Sequence, residues 1–305
     1  MHSLEHYRSA FIAYLENKIR PKEPQNLYAP ISYILNLGGK RLRPVMTLMA
    51  TEIFDADYIE AMDAALAVEI FHNFSLVHDD IMDDAPLRRG KPTVHEKWDI
   101  NTAILSGDAM LINAYQMFEN YEGDTFRSLA QLFSWTAIRV CEGQQYDVDF
   151  ETRDDVTISE YLKMIEYKTA VLVAASLKMG GIIAKAPLVE QNNIYEFGRN
   201  LGIAFQLQDD YLDVFGDSKV FGKQVGGDII ENKKTFLYLK AMELGTATQK
   251  KVLGNLYSIR PNDVNAKIGS IKDIFTNSGA GECTKQEIER YTQKAFDCFE
   301  EELHI

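Results

Sequence analysis

Apolar residues along the chain recur at steps of three and four, and no segment alternates convincingly with period two. From Asp57 to Met82, the residues Ala61, Ala64, Ala65, Val68, Phe71, Ser75 and Asp79 fall on one helix face. Proline placement agrees: four of the eight lie at or before Pro44, and none falls between Pro92 and Pro187 or between Pro187 and Pro261. Those stretches are filled with Ala, Leu, Met, Glu and Lys, which suit long helices. The pattern predicts helices over 4–20, 27–38, 41–53, 58–84, 95–121, 124–146, 158–180, 190–215, 232–244, 247–257, 263–276 and 284–302. Breaks are expected at Pro21–Pro30, Gly38–Gly39, Pro86–Pro92, Gly180–Pro187, Gly216–Gly227 and Arg260–Asp263, where Gly, Pro and Asn cluster. None is long enough for a domain linker and no solenoid repeat appears, so a single all-α domain spanning 1–305, one large helical bundle, is expected.

Composition narrows the function. With 46% hydrophobic and 25% charged residues over 305 positions, the chain can bury a real core. A formal net charge of −13 argues against a nucleic-acid partner, and means that any anionic substrate needs a local basic or metal site. The three cysteines, Cys141, Cys283 and Cys298, are too few and too scattered for a disulfide framework. They are read as core filler in a reducing, cytoplasmic setting. The first residues lack the apolar region of a signal peptide, and the most apolar stretch, Thr169 to Leu177, is too short to cross a bilayer, so no integral membrane segment is expected.

Two acidic clusters stand out. The first is Asp79-Asp80-Ile81-Met82-Asp83-Asp84, in which Asp79 and Asp83 are i, i+4 partners projecting from one face. Like charges so placed repel, and the C-terminal end of a helix, which Pro86 marks here, already carries negative charge. Something positive should compensate. The second, Asp209-Asp210-Tyr211-Leu212-Asp213, repeats the geometry. One such motif is often only a solvated helix end; two in one chain are harder to dismiss. Hard oxygen donors without accompanying His or Cys select Mg²⁺ or Ca²⁺, and the absence of an EF-hand loop favours Mg²⁺ bridging a phosphate.

Against this acidic background stand short basic groups: Lys40, Arg41 and Arg43 in GGKRLRP at 38–44, then Arg88 and Arg89, Lys168, Lys223, and Lys233 with Lys234. Arginine's planar fork and lysine's compact charge both suit phosphate. Taken in order, GGKRLRP, His72, DDIMD at 79–83, RRGKPTVH at 88–95, GQQYD at 143–147, Lys168-Thr169, FQLQDDYLD at 205–213, and GKQVGGDI at 222–229 with Lys233 resemble the trans-type isoprenyl diphosphate synthases of the polyprenyl synthetase family. The resemblance runs over roughly 30 to 240.

It implies an isoprenoid-synthase bundle around a central active-site cavity, usually a homodimer. The implied reaction is a Mg²⁺-dependent, head-to-tail condensation of isopentenyl diphosphate with allylic prenyl diphosphates. By the same resemblance, three Mg²⁺ would be held by Asp79, Asp83 and Asp209, with Asp80, Asp210 and Asp213 completing or orienting the shells. Arg88, Lys168 and Lys223 would contact the allylic diphosphate, with Lys233 nearby. Lys40, Arg43, His72 and Arg89 would bind isopentenyl diphosphate, and Thr169 and Gln206 would lie near the developing carbocation. A histidine in an apolar helix is more often a satisfied core residue, yet His72 lies two turns before Asp79 on the same face.

Moving back along that helix from Asp79, Ser75 is one turn away and Phe71 two turns, at ~5.4 Å per turn. Ser75 leaves the first level open, whereas Phe71 can close the second; Phe74 points further sideways on an ideal wheel. Of the two floor positions in the family pattern, four and five before the first Asp, only Phe74 is aromatic. That mixture resembles short-chain synthases making geranylgeranyl diphosphate, with farnesyl diphosphate as the alternative product. A class I terpene cyclase would lack the second Asp-Asp-x-x-Asp and GGKRLRP, and a non-catalytic partner subunit would usually have lost the acidic motifs. The segment 241–305 shows only amphipathic helices ending in a solvated acidic tail.

Overall fold

Helix dominates the chain because its proline-free stretches carry apolar residues at helical spacing. The computed structural model describes residues 1–216, 226–259 and 264–300. By its contacts the chain divides into two compact units, Met1–Trp135 with Ala175–Tyr195, and Thr136–Ala174 with Glu196–Ile305.

In the first unit, α4 (Met62–Met82) is buried on nearly every side, including Leu66, Val68, Ile70, Phe71, Phe74 and Val77. It packs most extensively against α6 (Ile100–Gln116), and also against α3 (Leu42–Ile53) and α1 (Leu4–Lys18). α2 (Gln25–Asn36) lies along α6 and holds Pro30 in its interior, so the expected break at Pro21–Pro30 ends earlier than the prolines suggest. The predicted 95–121 helix is interrupted: α5 (Val94–Lys97) stops at Trp98, and Asp99 caps α6 by accepting from Thr102 N at 2.8 Å. No Gly or Pro marks that break; only the capping aspartate does. A two-residue hairpin, β1 (Leu87–Arg88) paired with β2 (Lys91–Pro92), also went unsignalled by period-two patterning. Its turn residues Arg89 and Gly90 have φ of 53° and 73°, the positive pair that a type I′ turn requires.

In the second unit, α7 (Gly123–Thr152) and α10 (Leu188–Phe215) each contribute their C-terminal parts, and α8 (Ile158–Ile165) runs into a π-helical turn at Glu166–Ala170 before α9 (Val171–Ile183). The predicted 158–180 helix is therefore one helical path with a wider turn inserted. Beyond it come α11 (Gly227–Ile230), α12 (Phe236–Leu244), α13 (Ala247–Tyr257), α14 (Val264–Asn277) and α15 (Ala280–Glu300). Leu237, Leu253, Ile271 and Phe275 of these helices join Ile165, Ile203 and Leu207 in one apolar core, so the uninterpreted 241–305 stretch is scaffold for this unit as far as it is described. The cysteines are not core filler: Cys141 is exposed and Cys283 and Cys298 are half-buried. No described helix is long and apolar enough to cross a membrane.

Candidate active site

The first acidic cluster closes α4. Asp83 is its C-cap, and Asp83 N donates to Asp79 O at 2.9 Å, which stands the two carboxylates one turn apart. Asp79 is half-buried and Asp83 exposed. Asp80 points the other way and is fully buried, where its carboxylate receives Arg88 Nε at 2.8 and 2.9 Å and Nη2 at 2.6 Å. Burial pushes the Asp80 carboxyl up from its ordinary value and Arg88 pulls it back. Asp80 thus fixes Arg88, a fork that its place in the acidic run does not reveal.

The hairpin turn brings Arg89 to the glycine-rich loop, where its Nη1 donates to Gly38 O. A Cβ at Gly39 would meet the Arg89 guanidinium at 2.9 Å, so the contact needs glycine there. In the same loop Arg41 turns inward, with φ of 52°, and is buried against Glu69 and Leu35 O. Glu69 in turn accepts from Asn73 Nδ2 at 2.7 Å. Lys40 stays exposed and Arg43 lies half-buried, its Nη1 3.4 Å from His72 Nε2. Burial, followed by Arg43, Arg89, Arg88 and Arg41, holds His72 well below the usual histidine range, so it is neutral and can accept from Arg43. Arg43 Nε is buried without a hydrogen-bond partner, a spare donor suited to an anion. Of GGKRLRP, then, Lys40 and Arg43 are left for a ligand while Arg41 holds the loop.

Phe71 is fully buried and its ring packs on Phe74 and Phe133 at 5.5 and 5.1 Å between centroids. Phe74 also meets His78 at 4.8 Å, and Ser75 Oγ donates to His72 O at 2.9 Å. Phe71 and Phe74 sit on α4, which carries the half-buried Asp79 near its end, and Phe133 comes from α7.

In the second unit, the π turn presents Lys168 and Thr169. Its backbone is approached from two sides: a Cβ at Gly143 of α7 would lie 2.2 Å from Lys168 N, and one at Gly202 of α10 would lie 2.7 Å from Ala170 Cα. Lys168 Nζ donates to Asp147 Oδ2 at 2.5 Å. Thr169 Oγ1 donates to Gln206 Oε1 at 3.2 Å, and Gln206 Nε2 donates to Asp210 Oδ1 at 3.0 Å. Tyr161 completes this chain by donating its hydroxyl to Asp210 Oδ2. These groups, with Asp228 and Lys233, line a cavity of about 110 Å³.

Charge in this cavity is unbalanced. Burial, then Asp228, pushes buried Asp210 well above the carboxylate range, and burial with Asp213 pushes Asp228 up to about 7. Half-buried Asp209 adds to both shifts. Burial works against the charge on Lys233, yet Glu231, 3.1 Å away, and Asp147 hold its pKa above the usual lysine value. Asp213 is otherwise engaged: its two oxygens accept from Gly227 N at 3.2 Å and Asp228 N at 3.1 Å, fastening α11. Lys234 anchors to Phe150 O and Arg153 O. The expected contact Lys223 lies outside the described residues.

Sequence reasoning assigned no role to Asp147, Tyr161 or Asp228. GQQYD and GGDI did carry the first and last in the resemblance, whereas nothing local marks Tyr161.

All-α architecture, two aspartate clusters, and lysine and arginine sets beside them define the isoprenoid-synthase class of prenyl-transferring enzyme. A polyprenyl synthetase family model matches residues 24–274, and the chain belongs to that family. It is 43% identical over 224 residues to the geranylgeranyl diphosphate synthase of Methanosarcina mazei, covering 73% of this chain and 69% of that one. It is 38% identical over 272 residues to the geranylfarnesyl diphosphate synthase of Natronomonas pharaonis, covering 83% and 78%. Among solved structures, a geranylgeranyl pyrophosphate synthase crystal structure superposes with a TM-score of 0.95 at 54% identity, covering 99% of this chain and 93% of that one.

Proposed function

We propose that this chain joins an allylic prenyl diphosphate to isopentenyl diphosphate, head to tail and with trans geometry, to give geranylgeranyl diphosphate as its main product. The observation that carries the reading is that each unit sets cations beside carboxylates, Arg88 on Asp80 within the first aspartate cluster, and Lys168 with Lys233 in a cavity shared with Asp147, Asp210 and Asp228. The family model across 24–274, which covers most of both units, supports treating 1–305 as one domain.

The donor set fits Mg²⁺. Asp79, Asp83 and Asp209 offer only hard oxygen atoms, and the carboxyls of Asp210 and Asp228, raised first by burial and then by neighbouring carboxylates, lie where a divalent cation would favour the charged forms. Three ions held by Asp79, Asp83 and Asp209 are the expected complement; bound, Mg²⁺ supplies charge stabilisation at the departing diphosphate.

The chain's own residues do the rest. Arg88, Lys168 and Lys233, with Lys223, balance charge on the allylic diphosphate as the C–O bond ionises. Thr169 and Gln206 aim side-chain oxygens into the second unit's cavity, where they steady a carbocation. Lys40, Arg43, Arg89 and neutral His72 hold the diphosphate of the second substrate, which must not ionise. Burial of the apolar walls excludes water, which would turn the cation into an alcohol. The final proton leaves to the released diphosphate.

Phe71 and Phe74 form the floor that limits chain growth. Relatives named for geranylgeranyl and geranylfarnesyl products favour that length over farnesyl diphosphate. A homodimer in the cytoplasm belongs to the same reading, supported for the dimer by Ile104, Leu105 and Ile112 of α6, which stay exposed. Light scattering of the purified chain tests it.

The deciding assay incubates the purified chain with Mg²⁺, isopentenyl diphosphate and, separately, dimethylallyl, geranyl and farnesyl diphosphates, followed by chromatography of dephosphorylated products. Geranylgeraniol is expected from every starter. A cyclic hydrocarbon would identify a cyclase, and silence a non-catalytic partner subunit.

A further inference from the structure

Next to the first aspartate motif, but sharing none of the residues assigned to Mg²⁺, the structure gathers Asp84, His95 and Glu96. One donor atom from each lies within 4.8 Å of the other two, the one such group of three among the described residues. Asp84 follows the C-cap of α4 with φ of 47°, while His95 and Glu96 lie in α5, directly after the hairpin and Thr93.

The second observation is the state of His95. Its side chain is 5% exposed, yet neither ring nitrogen has a hydrogen-bond partner. Nε2 faces Glu96 Oε1 at 3.8 Å, too far for a hydrogen bond. Two donors bound at about 2.0–2.2 Å in a tetrahedral set stand roughly 3.4 Å apart, so a small movement of the exposed Glu96 side chain brings this pair onto a shared ion. Asp84 and Glu96 are exposed and free to adjust; the buried imidazole is the fixed point.

We propose that Asp84, His95 and Glu96 form a separate site for a transition-type divalent cation, with Zn²⁺ as the best match. One imidazole and two carboxylates form a mixed nitrogen and oxygen set, which suits zinc and its neighbours, whereas Asp79 and Asp83 offer only the hard oxygens that suit magnesium. An ion there ties the end of α4 to the start of α5. The segment it closes is the hairpin carrying Arg88 and Arg89, so zinc steadies the two arginines without touching the substrates.

The test is zinc binding to the purified full chain by equilibrium dialysis in saturating Mg²⁺, a readout that needs no turnover. One Zn²⁺ per chain is expected, with affinity lowered at least roughly tenfold in the surface double variant Asp84→Asn/Glu96→Gln and lost in His95→Gln. Cobalt(II) in place of zinc should show a visible absorption band that His95→Gln abolishes. An Asp79→Asn/Asp83→Asn variant should keep its zinc. The proposal falls if the parent binds no zinc, if the double variant binds it as tightly as the parent, or if zinc disappears with Asp79 and Asp83. Should His95→Gln fail to fold, the double variant, altered only at exposed positions, decides.

Discussion

Arg88 grips buried Asp80 through Nε and Nη2, the closest approach being 2.6 Å. The arginine side chain keeps 27% of its surface exposed while the aspartate keeps 1%. One partner is thus an anchor and the other a presented cation. Asp80→Asn removes the anion of the pair and should cost about 1–3 kcal/mol of stability. It should also raise KM for the allylic diphosphate more than for isopentenyl diphosphate. Urea denaturation and steady-state kinetics check the two effects; equal changes in both KM values would show that Asp80 does not act through Arg88.

The π turn that presents Lys168 and Thr169 is hemmed in by Gly143 and Gly202. Adding a methyl group at either position should cost roughly 1–3 kcal/mol, as overpacking does. Gly143→Ala should reduce kcat beyond what the stability loss explains, because the added carbon meets Lys168 N. Activity measured well below each variant's melting temperature separates the two.

Phe71→Ala should lengthen the products, with Phe74→Ala acting in the same direction. Phe71 is fully buried among aromatic rings, so its truncation should also cost about 3–5 kcal/mol. Chromatography of dephosphorylated products reads the length; an unchanged profile in both variants would remove the floor assignment.

Asp228 predicts an unusual pH response. Its carboxyl is raised from 3.8 to about 7, so the folded chain holds a proton that the unfolded chain releases. In the metal-free protein, stability should therefore fall as pH rises from about 4 to about 7, at up to ~1.4 kcal/mol per pH unit for one group. Asp228→Asn should lessen that slope, the remainder coming from Asp210, whose carboxyl is raised in the same direction. Added Mg²⁺ should stabilise the parent increasingly over the same range, because it competes with the proton. Thermal melts with and without the ion at successive pH values test both.

Much of this was legible from residue pattern. The apolar face from Ala61 to Phe71 marked α4, and the paired aspartates marked both acidic helix ends, because helical spacing is a local property. Where the pattern was silent, tertiary contacts decided. Arg41 reads as one more cation in GGKRLRP, and only Glu69, distant in sequence, turns it into structure. Tyr161 is an ordinary helix tyrosine until Asp210 is packed against it. The break at Asp99 depended on one capping side chain, whose two oxygens accept from Thr102, and the hairpin at 87–92 is too short for any periodicity to register.

The wide turn at Glu166–Ala170 has a bearing on how this protein tolerates insertions and deletions. Such a turn holds one residue more than a regular one, so α8 and α9 are out of phase with each other by about a single helical step. Removing Tyr167 or Ala170 would let the segment relax into uninterrupted α-helix. Lys168 and Thr169 would then be rotated off the cavity wall even though neither had been substituted. Presentation of these two groups is a matter of residue count as much as of residue identity, and a shortened sequence that kept every charged side chain would still forfeit it.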